Sequence, residues 1–63
     1  MTLRETFLEA AGMAMDCHAR SMAEATRSNK PERIAYWLNE ARDDESRARF
    51  YLGRAELYEL ETA

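Results

Sequence analysis

A single cysteine, Cys17, excludes an internal disulfide from this chain. One proline and two glycines leave few turn signals, which argues against a sandwich or barrel of many short, punctuated strands. Long hydrophobic runs are missing as well. No uncharged stretch exceeds the six residues of Ala10 to Met15, far short of the roughly 20 apolar residues that a membrane-spanning helix needs, so no membrane segment is expected. Lysine is scarce, one against eight arginines, and the formal net charge is -3. Nearly every arginine has an acidic neighbour at helical spacing, whereas phosphate contacts need clustered basic side chains, so nucleic acid is not an expected partner.

What is present points to helices. Hydrophobic residues make up 46% of the chain and charged ones 33%, a mixture that suits elements with one apolar face better than a disordered tail. The 63 residues make one domain at most, and a chain this short buries too little apolar surface to be comfortably stable alone. With disulfides excluded, oligomerisation is the expected supplement. One thiol and no secretion signal near the start fit a reducing cytoplasm.

The pattern T-L-R-E, Thr2 to Glu5, is a capping box that predicts a helix from about 3 to 28. Along it Leu3, Phe7, Ala11, Ala14, His18, Met22 and Ala25 recur at steps of four and three and form one apolar face. Asp16 and Arg20 stand acid-before-base at i,i+4 on the other. In S-N-K-P-E, Ser28 or Asn29 is the expected cap, and Pro31 suits the first turn of a new helix. A turn over about 28–31 and a second helix over about 31–60 follow. Its main stripe is Ile34, Trp37, Leu38, Ala41, Ala48, Tyr51, Leu52, Ala55 and Tyr58, with three alanines one heptad apart that let a partner helix approach closely. Folding the chain at the turn places Met22 opposite Trp37 or Leu38, His18 opposite Ala41, Ala11 opposite Ala48 and Phe7 opposite Leu52. The expected fold is therefore all-α, an antiparallel two-helix hairpin.

No catalytic motif emerges. Cys17 and His18 are adjacent, so on a helix they point about 100° apart and cannot share the hydrogen bond that a nucleophile and base require. His18 is read as a core histidine satisfied across the hairpin by Asp44 or Glu45, and Cys17 as a partly buried thiol. The Glu-x-x-His pair of di-iron bundles is missing, so no metal, cofactor or enzymatic activity is expected. The run Arg42 to Arg49 reads as a solvated face, with Asp43–Arg47 and Glu45–Arg49 as i,i+4 pairs. Asp44 and Glu45 border the apolar stripe and read also as a polar waist that sets register.

Phe50, Gly53, Leu57 and Leu60 form a second apolar stripe away from Ala55. A hairpin cannot cover both stripes, which predicts a homodimer forming a four-helix bundle, a surface for a larger protein partner, or both. Phe50, Gly53, Leu57 and Leu60, with the neighbouring Tyr51 and Tyr58 and with Tyr36 near the turn, are the candidate interaction residues, since aromatic anchors carry much of the energy at interfaces. In length and two-helix layout the chain resembles the plasmid-encoded, RNA-binding Rop type of dimeric hairpin, and that resemblance implies an RNA-binding dimer as the alternative function. The leading expectation is a small acidic regulator or inhibitor, of the kind that phages and mobile elements encode, that occludes a groove of its target with the stripe rimmed by Arg54, Glu56 and Glu61. A structural assembly or chaperone subunit is a third reading.

Overall fold

The computed structural model describes residues 2 to 59. Two helices pack against each other as an antiparallel hairpin, α1 (Leu3–Arg27) and α2 (Pro31–Leu57). The start of α1 follows from Thr2, whose backbone is extended and whose hydroxyl accepts the Glu5 N–H at 3.1 Å. The Glu5 carboxylate in turn receives the Thr2 hydroxyl at 3.3 Å, so the capping box closes between side chains. At the other end the Ser28 N–H and hydroxyl both donate to the Glu24 carbonyl, at 3.0 and 2.9 Å, and Arg27 pairs with Glu24.

The cap of α2 is Lys30, without a side-chain bond, in place of the expected Ser28 or Asn29. Proline explains the shift. Pro31 is preset for the first helical turn and holds the residue before it in the extended region, so the boundary falls at Lys30 whatever its side chain. The freed N–H groups of Arg33 and Ile34 bond to the Lys30 carbonyl, each at 3.0 Å. Helix α2 ends at Leu57, with Tyr58 as its cap. Leu60 and Glu61 of the second stripe lie outside the described residues.

The seam between the helices runs in strict heptads. On α1 the buried or half-buried positions include Arg4, Phe7, Ala11, Ala14, His18, Ser21, Ala25 and Ser28; on α2 they include Ile34, Trp37, Ala41, Asp44, Ala48, Tyr51, Ala55 and Tyr58. Steps of three and four alternate throughout, the repeat that winds helices into a left-handed coil. His18 Nδ1–H donates to the Ala41 carbonyl at 2.9 Å and fixes the register: Ala11 then faces Ala48, and Ala25 faces Ile34. An alanine occupies every one of these levels, and among the described residues the buried hydrophobic core consists of alanines alone. At the open end Phe7 stacks on Tyr51 and Tyr58, at ring distances of 6.4 and 5.7 Å.

The seam corrects five expectations. Met22, Leu38, Leu52 and Leu3 are exposed, and Phe7 meets the two tyrosines in place of Leu52. Ser21 and Asp44, both polar, hold the seam positions that the apolar reading passed over. His18 finds a backbone carbonyl in place of a carboxylate, because the short side chain of Ala41 lets the ring reach the main chain while Asp44 is engaged by Ser21 and Arg47. Arg47 pairs with Asp44 at 3.3 Å rather than with Asp43, while the Glu45–Arg49 pair forms at 2.7 Å.

Gly12 and Gly53 both lie in helices, and a Cβ built on either meets nothing within 4 Å. Glycine loses more backbone freedom on folding than alanine, so Gly12→Ala and Gly53→Ala should each stabilise the hairpin by about 0.5–1 kcal/mol. Urea titration followed by circular dichroism checks this as a rise in midpoint at constant slope.

Candidate interaction surface

Narrow seams leave wide flanks. Because alanine and serine draw the two backbones together, the larger apolar side chains stand on either side of the contact line. On one flank are Leu8, Met15 and Met22 of α1, seven residues apart, and Leu38 and Leu52 of α2; these five side chains are between 37% and 58% exposed. Two open grooves lie along this flank, one of about 260 Å³ lined by Met15, His18, Glu45, Ala48, Arg49 and Leu52. The other, of about 300 Å³, is bordered by Leu8, Leu52 and Ala55 with Arg4, Glu56 and Glu59 at its rim. Leu52 is the ridge between them.

Phe50 and Leu57 belong to the opposite flank. They are 55% and 65% exposed and continue in heptad steps from Tyr36, itself exposed, through Asp43. Arg54 lies over the Phe50 ring at 5.2 Å from its centroid, and Phe50 meets Tyr51 edge-on at 5.7 Å. A third groove of about 210 Å³ opens on this side between Met13, Cys17, Arg47 and Tyr51. Cys17 is exposed rather than partly buried, since its heptad position flanks the seam without entering it.

The candidate interaction residues are thus divided. Phe50, Gly53, Leu57 and Tyr36 face outward, whereas Tyr51 and Tyr58 are half-buried and hold Phe7 inside the hairpin. Tyr36 is tied to the neighbouring ring of Trp37 by an edge contact at 5.0 Å. From the sequence Met22, Leu38 and Leu52 are expected in the core, whereas the seven-residue spacing of Leu8, Met15 and Met22 marks the flank that the structure shows.

No family model, curated protein or solved structure matches the chain. Its chemistry must be read from the surface alone. Among the described residues no group of three His, Cys, Asp or Glu side chains is placed to hold a metal ion, and no helix is long and apolar enough to cross a membrane. The surface offers side chains for contact: two apolar flanks, each crossed by ion-paired charges.

Proposed function

We propose that the chain is a protein-binding regulator or inhibitor that works as a homodimeric four-helix bundle in a reducing cytoplasm and occludes a groove on a larger protein. The observation that carries this reading is the outward row of Tyr36, Phe50 and Leu57, with Arg54 stacked over the central ring. Aromatic and leucine side chains beside an arginine are the residue types that anchor interfaces. Held on a helix, they are pre-organised, so docking immobilises little that was free before. An apolar groove with mixed charges at its edge fits this row, because Asp43 and Arg54 flank the aromatic side chain with opposite signs. The exposed Cys17 thiol suits a compartment in which thiols stay reduced.

Photo-crosslinking in cells tests the reading. A photoreactive phenylalanine analogue at Tyr36 should give one discrete protein adduct, and Leu57→Glu should abolish it while leaving the circular dichroism spectrum unchanged. An adduct that is RNA, or a smear that survives Leu57→Glu, would remove the regulator reading.

A further inference from the structure

We infer that the flank formed by Leu8, Met15, Met22, Leu38 and Leu52 is the face through which two copies of this chain pair, leaving Phe50 and Leu57 on the outside of the dimer. The inference rests on the dimer proposed above and names the side on which it forms.

Surface area is the first argument. The hairpin extends over 50 × 15 × 10 Å, with a radius of gyration of 14.6 Å, where a compact domain of this length would have about 11 Å. Its accessible surface is 5016 Å², against about 4,200 Å² for a compact monomer of its mass. The excess of roughly 800 Å² equals one partner's share of a standard interface. Among the described residues no large side chain is fully buried within one hairpin, so several residues that ordinarily make a core, Leu8, Leu38 and Leu52 among them, still face outward.

Self-complementarity is the second. In the register set by His18 and Ala41, Leu8 is level with Leu52, Met15 with Glu45, and Met22 with Leu38. A twofold axis parallel to the helices lays α1 of one copy on α2 of the other, so that Leu8 meets Leu52 of the second copy and Met22 meets Leu38 of the second copy. At mid-height Met15 lies against the aliphatic stem of Glu45 of the second copy, whose carboxylate is already neutralised by Arg49. The two Glu45 carboxylates then sit diagonally across the bundle instead of face to face. The grooves on either side of Leu52 supply the holes that side chains of a second copy enter, as knobs do in packed helices. All neighbouring helices run antiparallel.

The opposite flank lacks this match. Leu57 has Leu3 at its level, but Phe50 has only the small Ala10, with Met13 a turn further on, and the heptad row of Phe50 passes through the charged Asp43, level with Asp16 and Cys17.

Light scattering over a range of concentrations, on wild type, Leu52→Glu and Leu57→Glu, tests the assignment. Wild type and Leu57→Glu should both have the mass of a dimer. In Leu52→Glu the dimer dissociation constant should rise by about a hundredfold or more, because a symmetric interface loses the same anchor twice. Since the separated hairpin of Leu52→Glu is at risk of unfolding, a second measurement keeps the wild-type face: in a Cys17→Ser background, chains carrying Leu8→Cys and Leu52→Cys are mixed and oxidised. A disulfide between them is expected, and chains carrying Leu57→Cys should form none. A wild-type monomer would overturn the dimer and this face together. A wild-type dimer that is broken or cross-linked at position 57, but not at 52, would overturn this face alone.

Discussion

Ala48→Leu should lower the melting temperature of the hairpin by about 10–20 °C, the shift expected for a loss near 3 kcal/mol in a domain of this size. Ala48 is buried on α2 and faces Ala11, which is 2% exposed, so the helices approach at this level with one methyl group from each side. A leucine adds three carbon atoms on the contact line itself, where Ala11 leaves no room across the seam and the groove beside Met15 and Leu52 opens only to one side. Relief by separating the helices would stretch the His18 bond to Ala41 one heptad away and expose Ala11, Ala41 and Ala55. Since a natural domain of this length holds about 3–9 kcal/mol in total, the loss is a large share of what keeps the chain folded. Ala35→Leu, at an exposed site on the same helix, provides the control, because leucine and alanine differ little in helix propensity. Equal melting of Ala48→Leu and wild type would show that the two backbones do not approach closely at this level.

The alanines made the hairpin legible, and the polar seam residues hid its exact contact line. Thr2 with Glu5, Pro31, and the one-heptad spacing of Ala41, Ala48 and Ala55 are local signals, and the helices, the turn and the pairings of His18 with Ala41 and of Ala11 with Ala48 follow from them. A search for apolar recurrence, however, drifts wherever the seam turns polar. At Ser21 it slides one residue on to Met22, and at Asp44 it skips from Ala41 to Ala48. The same drift drew Leu38 and Leu52 into the expected core, although each stands one residue past a seam position. The sequence contains the better rule, a strict three-four alternation from Arg4 to Ser28 and from Ile34 to Tyr58, but recognising it means allowing arginine, serine and aspartate to count as seam residues. Which flank bears Phe50 and which bears Met15 then depends on register alone. The outward direction of Phe50 and Leu57 was readable from the helical wheel, whereas on the other flank Met22, Leu38 and Leu52 were disguised as core.

Ser21→Ala and Asp44→Ala should change stability in opposite directions. Both residues are 5% exposed, and the Ser21 hydroxyl donates to the Asp44 carboxylate across the seam at 3.4 Å, long for a bond of this type. Arg47 reaches the other carboxylate oxygen from the solvent side at 3.3 Å. Removing the hydroxyl leaves a buried carboxylate with less hydrogen bonding, and Ser21→Ala should cost about 1–2 kcal/mol. Removing the carboxylate relieves its desolvation, replaces a poor helix former by the best one and adds a methyl group to a seam already built of them, so Asp44→Ala should stabilise by about 1 kcal/mol. The serine left behind has a ready acceptor in the carbonyl four residues earlier on its own helix, and the double variant should therefore match Asp44→Ala to within about 0.5 kcal/mol. Such a cycle is strongly non-additive, as expected for two groups in contact. The turn from Ser28 to Lys30 is too short to let one helix slide by a heptad, so the hairpin keeps its register in all three variants, and denaturant midpoints report stability alone. A loss of 2 kcal/mol or more in Asp44→Ala would mean that the polar layer holds the helices together more strongly than an alanine layer can.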